Sequence, residues 1–462
     1  MPDGMSAAPQ RLTRREMGAR LAVGAASAVL SVIGTASVCI AWVQRMAPPT
    51  LFYAKTERNR ALVSAIPLLL RSYVPNLLSW NAHSAGFFGY VKLPEKKRPH
   101  SVERVTLPDG GTVCLSWSSP PIAESSCKPI ILLIPGINNP ASMPYIRRLM
   151  GLLDEEGLGH VAALDWRGLG EAGPLTGASG TPRPYCAMCA PDVGAVIDHL
   201  HAKHPHAPLY AVGWSLGGGM LLSHLGETGD SCLLSAAMAI SPAIDLVANL
   251  EHMARRWHTS MYLPVIMAPL VAYFYRHRHA LASGDNPVSW WNDVLPAAFG
   301  YGPRGIEGLF AKLWGLQGGA SEYHAIGSSV RLLSGVRRST LIVHASDDPI
   351  CPVKAMPLDT MIANPHLITA ITRHGGHMGY TAGFSPLTHT WTDRVLVHYL
   401  RHLQARRGAG DAALASAADG MAAGQSHHHH ALAQPPPPPP SAVEASRPNG
   451  DDRPSVCLQS KL

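Results

Sequence analysis

The run Leu209-Tyr210-Ala211-Val212-Gly213-Trp214-Ser215-Leu216-Gly217-Gly218-Gly219 constrains the fold more than any other stretch of this chain. Its first four residues are an apolar run after Pro205 and Pro208, of a length that suits a buried parallel strand. From Gly217 to Gly226 the pattern becomes helical, with Met220, Leu221, Leu222 and Leu225 on one face. Between the two, Gly213-Trp214-Ser215-Leu216-Gly217 has the G-x-S-x-G form of a sharp strand-to-helix turn that presents a serine hydroxyl. Glycines are required because side chains flanking the serine would collide with the strained backbone. A glycine-rich surface turn with an idle serine is the alternative, and the strand and helix around it argue against that.

A serine hydroxyl barely ionises near neutral pH, so a nucleophilic Ser215 requires a base and a group to orient that base. The strand-like run Ser339 to Ala345 leads into Asp347 and Asp348, followed by Pro349 and Pro352. A carboxylate there sits at a strand's C-terminal edge, where open α/β sheets build their sites. A second apolar run, Leu367 to Ile371, precedes His374-Gly375-Gly376-His377-Met378-Gly379-Tyr380. The expected assignment is Ser215 as nucleophile, His377 as general base and acid, and Asp348 orienting His377. Asp347 competes for the acid's place, with turn capping beside Pro349 as its other role. The spacing to Pro352 favours Asp348. His374 competes with His377, which its glycine neighbours favour; the other role for His374 is that of a hydrogen-bonded or solvated loop residue.

A carbonyl attacked by Ser215 needs donors for its developing charge. One expected donor is the backbone N–H of Leu216. The second is placed after the most strand-like run, Ile130-Ile131-Leu132-Leu133-Ile134, where Pro135-Gly136-Ile137-Asn138-Asn139 follows and Ile137 is the expected donor.

These residues lie among others that carry a family likeness. They include Tyr73-Val74-Pro75, Leu107-Pro108-Asp109-Gly110-Gly111, Tyr145-Ile146-Arg147-Arg148-Leu149, Asp165-Trp166-Arg167-Gly168-Leu169-Gly170, Pro184-Tyr185-Cys186-Ala187, Asp192-Val193, Ser241-Pro242-Ala243-Ile244-Asp245 and Trp391-Thr392-Asp393. Over roughly residues 70–403 the chain resembles the α/β-hydrolase-domain lipases and esterases, a group with animal phospholipase and acylglycerol-lipase members, plant relatives and a bacterial branch. The resemblance implies an α/β-hydrolase fold: a mostly parallel central sheet, helices on both faces and a helical cap insertion at about 246–328. It implies hydrolysis of carboxylic esters, those of lipids first, through an acyl-Ser215 intermediate. A thioester or non-lipid ester is the alternative substrate, and a catalytically silent lipid-binding protein the alternative function.

Some positions depart from the pattern. Ile134 stands where a histidine usually precedes Pro-Gly, which is expected to alter polarity near the acyl site. The stretch between Asp245 and Ser329 matches poorly; its Trp257, Tyr262, Tyr273, Phe274, Tyr275, Trp290, Trp291 and Trp314 either line an acyl pocket or form the cap's own core. Ala382 occupies the aspartate place of an H-x-x-x-x-D motif found in acyl-transferring relatives, which favours hydrolysis over transfer.

A net charge of +7 with scattered basic residues, apart from Lys96-Lys97-Arg98, gives no reason to expect nucleic acid as a partner. The eight cysteines show no disulfide framework, and Cys186 and Cys189 form a lone C-x-x-C, so no metal or other cofactor is expected. The segment 1–20 is basic, and Leu21 to Gln44 is an uncharged run long enough to span a bilayer. It is read as a membrane anchor in preference to a signal peptide, with Thr13-Arg14-Arg15 also resembling an export signal. Residues 45–99 form a lead-in, 100–403 the main domain, and 408–462 a low-complexity tail without a core-forming composition. In that tail, His427 to His430 and Pro435 to Pro440 are low-complexity tracts, and Ser460-Lys461-Leu462 has the form of a peroxisomal address. A peroxisomal import receptor at Leu462 and a membrane are therefore expected partners, with the endoplasmic reticulum membrane as the other location. A receptor in the cytosol could not reach a tail sealed in a lumen, so anchor and address compete.

Overall fold

Of the computed structural model, the described residues are 14–43, 46–79, 81–90, 101–120, 122–123, 125–175, 182–255, 262–301 and 303–425. The strands among them are β1 (Thr50–Tyr53), β2 (Val102–Thr106), β3 (Thr112–Trp117), β4 (Ile130–Ile134), β5 (His160–Asp165), β6 (Leu209–Trp214), β7 (Leu234–Ile240), β8 (Ser339–Ala345) and β9 (Leu367–Thr372). They form one sheet in the order β1-β9-β8-β7-β6-β4-β5-β3-β2. Pairing is parallel from β5 through β4, β6, β7 and β8 to β9. Antiparallel β1 closes one edge, and β3 with β2 the other.

The alternation along β4 explains the layers. All five of its residues are buried, and successive side chains of a strand point to opposite faces. Ile130, Leu132 and Ile134 enter one core with Val193 and Val196 of the helix Ala190–Lys203 and Leu221 and Leu225 of the helix Ser215–Thr228. Ile131 and Leu133 enter the other, with Leu62 of Glu57–Ala65, Ile146 and Leu149 of Pro144–Glu155, and Val395 of Trp391–Gln425. A sheet buried on both faces reads as continuous apolar runs, which is what β4 and β6 are. The mostly parallel sheet with helices on both faces is the architecture of an α/β-hydrolase.

At β4 the order of the chain reverses: β5 lies on one side of it and β6 on the other. Crevices beyond the carboxyl ends of strands at such a reversal are where open α/β sheets bind ligands. Between β7 and β8 the described chain is helical, with Leu246–Arg255, Tyr262–Arg276, Pro303–Leu313 and Gly319–Gly327 as its main segments.

Two buried guanidinium groups tie separate elements together. Arg148 bonds Asp393 at 2.9 Å and the carbonyl of Thr388. Arg167 grips Asp192 with two bonds of 2.6 and 2.7 Å and reaches Asp109 at 2.6 Å.

The ends differ from the sequence reading. Most of the run read as an anchor over 21–44 lies in the helix Arg14–Val43, but among the described residues no helix is long and apolar enough to cross a membrane. The described residues therefore do not support the expectation of a transmembrane anchor over 21–44. By contacts the chain divides into Met1–Gln404 and Ala405–Leu462. The helix Trp391–Gln425 continues past Gly408, where irregular chain was expected; alanine-rich sequence there favours helix. The Lys96-Lys97-Arg98 cluster, the histidine and proline tracts and Ser460-Lys461-Leu462 lie outside the described residues.

Arg148→Met would leave the Asp393 carboxylate buried without its cation, at an expected cost of about 3–5 kcal/mol. Urea denaturation measures it, and a loss below about 1 kcal/mol would mean the pair is not a buried tie.

Candidate active site

Ser215 is the first residue of its helix and holds φ at +50, a left-handed conformation that a serine adopts only under constraint. The constraint is packing against the neighbouring turn. A Cβ at Gly217 would lie 2.3 Å from the carbonyl oxygen of Pro135 and 2.5 Å from that of Ile134. Only glycine lets the turn after β6 press this closely against the turn after β4.

His377 Nε2 is 2.9 Å from Ser215 Oγ. The ring's other nitrogen, Nδ1, is 2.8 and 3.1 Å from the Asp348 carboxylate oxygens. With Nδ1 carrying the proton, it donates to Asp348 and leaves Nε2 free to accept from the serine hydroxyl. Asp348 Oδ1 also accepts from the backbone N–H of Ile350 and of Cys351, each at 2.9 Å. Burial pushes the Asp348 carboxyl up, but the charge and hydrogen bond of His377, with His344 and the Cys351 N–H, together hold it below the ordinary carboxylate value.

Asp347 and His374 form a second pair between the same two loops, those after β8 and β9. Asp347 accepts from His374 Nδ1 at 3.1 Å and from the N–H of Gly376 at 2.8 Å. Each aspartate thus takes one histidine, and the pair expected to line up with Ser215 is the one that does. The loop is fixed further where Met378 N–H donates to Ser241 Oγ at 3.3 Å, itself 3.0 Å from the Tyr380 hydroxyl.

The turn after β4 carries Ile137, and both Ile137 and Leu216 border a cavity at Ser215. Leu216 is the second residue of its helix, so its N–H is among those without an intrahelical acceptor. Three tyrosines shape the turn. Tyr145 OH accepts from Gly136 N–H at 3.3 Å and from Asn139 Nδ2 at 3.2 Å; Tyr90 OH donates to Asn139 Oδ1 at 2.7 Å; Tyr185 OH accepts from Asn138 N–H. Ile134 is fully buried in the sheet core and borders neither cavity at Ser215, so the expected change of polarity near the acyl site has no contact to carry it.

Sequence reasoning missed these tyrosines as site residues, although Tyr145 and Tyr185 lie inside the motifs quoted for the resemblance. It also missed His344, whose Nε2 donates to the carbonyl of Cys351 at 2.8 Å and braces the turn that holds Asp348. Burial lowers the basicity of His344, which keeps it neutral.

Two cavities meet at Ser215. One, of about 110 Å³, is bordered by Leu216, Met253, Leu270 and Phe310. The other, of about 310 Å³, is bordered by His83, Phe87, Tyr262, Val265 and His377. The aromatics of the segment 246–328 divide between the two roles considered for them. Tyr262 lines the larger cavity, whereas Phe274 packs on Phe310 with ring centres 5.2 Å apart. Tyr273 OH donates to the carbonyl of Arg167 at 2.9 Å and Trp314 Nε1 to that of Pro184 at 3.0 Å, so these two dock the segment onto the connection between β5 and the helix Ala190–Lys203. Trp257 lies outside the described residues.

Asp348, Cys351 and His377 have ligand atoms within 4.8 Å of one another. They make a poor metal site, because Asp348 and His377 satisfy each other and burial keeps the Cys351 thiol protonated.

The family described as serine aminopeptidase, S33 matches residues 125–284, a segment that contains Ser215 and ends before Asp348 and His377. The mouse protein named phospholipase ABHD3 is 26% identical over 76% of this chain and 84% of its own. The Picea glauca embryogenesis-associated protein EMB8 is 26% identical over 75% of this chain and 76% of its own. Bovine monoacylglycerol lipase ABHD2 is 26% identical over 81% of this chain and 90% of its own.

Tyr185→Phe removes the acceptor of the Asn138 N–H and should cost about 1–3 kcal/mol in urea unfolding; an unchanged midpoint would contradict that role. Because Asp348 has a folded pKa below its ordinary 3.8, its ionised form stabilises the fold above that value, and the contribution is lost as pH falls through the folded pKa. Asp348→Asn should therefore flatten the stability loss below pH 3.8, measured by acid titration of urea midpoints. An acid limb as steep as in the unsubstituted protein would count against it.

Proposed function

We propose, on the premise that this chain is an α/β-hydrolase of the lipase and esterase group, that it hydrolyses carboxylic esters of lipids through an acyl-serine intermediate. The observation that carries the reading is the line from Ser215 Oγ to His377 Nε2 at 2.9 Å and from His377 Nδ1 to Asp348 at 2.8 Å. Names of relatives that are phospholipases and acylglycerol lipases, and the apolar walls at Ser215, support lipid esters as the substrate class.

In the first half-reaction, Ser215 Oγ attacks the ester carbonyl carbon while its proton passes to His377 Nε2. The carbonyl electron pair moves onto oxygen, where the N–H groups of Leu216 and Ile137 are the donors that would stabilise it. Collapse of this intermediate breaks the bond to the alcohol oxygen, which takes the proton from Nε2 and leaves as the alcohol. Water then attacks the acyl-serine, again giving its proton to His377; the acid departs and Ser215 regains its proton. Asp348 keeps the imidazole in the useful tautomer and stabilises its cation throughout.

A lipid surface fits this reading as partner. Phe87 is 59% exposed and Val265 68% exposed at the border of the larger cavity, so the side from which a lipid would enter is apolar.

Ser215→Ala should reduce hydrolysis of p-nitrophenyl butyrate by at least about a thousandfold. Retention of the unsubstituted rate would end the proposal. Asp348→Asn should lower kcat by about ten-thousandfold, since it traps the wrong tautomer, while Asp347→Asn, which only loosens the loop, should cost far less. Equal losses in the two variants would mean that the acid is wrongly assigned.

A further inference from the structure

The two cavities are separated by one helix, and the spacing along it is what sorts them. Tyr262, Val265, Ile266 and Pro269 of Tyr262–Arg276 border the larger cavity. Leu263, Ile266, Met267 and Leu270 border the smaller. Each set steps by three and four residues, so each is one helical face, and the two faces adjoin along Ile266. Ile266, with Ile137 and Ile350, borders both cavities and forms the partition beside Ser215.

Proton transfer tells the cavities apart. The leaving oxygen must reach His377 Nε2, so the leaving group lies on the histidine's side of the carbonyl. His377 and Met378 border the larger cavity, and among the described residues neither borders the smaller. The smaller cavity is instead bordered by Leu216 and has apolar walls from Leu246, Met253, Leu270 and Phe310. Two polar side chains on its border are already engaged: Asn249 Nδ2 donates to Cys351 Sγ at 3.6 Å, and Glu307 bonds His324 at 2.7 Å. The larger cavity has polar pairs on its border, with His83 Nδ1 2.7 Å from the Tyr262 hydroxyl and Tyr90 OH on Asn139.

Resting on the hydrolase reading above, we infer that the helix Tyr262–Arg276 divides the substrate, directing a single unbranched acyl chain past Met267 into the smaller cavity and the leaving alcohol past Val265 into the larger. The volumes of about 110 and 310 Å³ make the alcohol the bulkier part. The substrate class is therefore an ester of one linear, uncharged acyl chain with a larger alcohol that bears both apolar and hydrogen-bonding groups. Met267 sets acyl length, and Val265 sets alcohol size.

The test uses the full chain and two substrate series: p-nitrophenyl esters of linear acids from acetate to dodecanoate, and butyrate esters of alcohols of increasing size. Met267→Trp should cut kcat/KM for the longest acyl chains relative to acetate by at least about tenfold, and Met267→Ala should shift the optimum to longer chains. In both variants the ratios across the alcohol series should stay as in the unsubstituted protein. Val265→Trp should produce the converse pattern, penalising large alcohols while the acyl profile holds. A Met267→Trp effect on the alcohol series alone would reverse the assignment, and changes in both series, or in neither, would overturn the division. Failure of the hydrolase reading looks different: hydrolysis would then survive Ser215→Ala, whatever the two profiles do.

Discussion

The left-handed backbone at Ser215 is the constraint on which the site depends. It exists because the helix after β6 starts against the turn after β4, with Gly217 too close to Pro135 and Ile134 for any side chain. That one contact sets the serine hydroxyl and the turn bearing Ile137 in fixed relation. Strain at Ser215 is sustained by the parallel sheet beneath it, where β6 is paired along its length with β4 and β7. Strain of this kind costs of order 1–3 kcal/mol and persists only where the surroundings over-determine it.

The opposite side of the site is held by electrostatics and hydrogen bonds. Consecutive aspartates after β8 point to two histidines three residues apart in the loop after β9. Asp347 and His374 fix the loop, and Asp348 and His377 aim its imidazole at Ser215. The bracing continues outward: His344 holds the Asp348 turn, and Ser241 with Tyr380 holds the other end of the histidine loop. A buried carboxylate that accepts two backbone N–H groups in addition to the ring is ionised because those partners outweigh burial.

Much of this was legible in the sequence for a physical reason. Central parallel strands are buried on both faces, so β4, β6, β8 and β9 are largely apolar runs, and the chemistry follows at their carboxyl ends. The edge strands β1 and β2 are partly exposed and carry no such signal. Tyr90 and Tyr185 act through contacts between residues far apart in the chain, and Tyr145 and His344 close irregular turns of six to nine residues that no helix or strand period encodes. The segment between β7 and β8 was recognisable as an insertion, but which of its aromatics face a cavity depends on how its helices dock. Tyr273 and Trp314, docked on the connection after β5, illustrate the point. The run over 21–44 was read from its length and lack of charge, and among the described residues no helix is long and apolar enough to cross a membrane.

The central claim is that Ser215 is activated by this arrangement. It is tested most directly by treating the full chain with a fluorophosphonate and locating the adduct by mass spectrometry. The account predicts one adduct per chain, on the peptide containing Ser215, and its loss when His377 is replaced by Ala. An unlabelled Ser215 in protein that still cleaves esters, or an adduct on another residue that His377→Ala leaves untouched, would contradict it.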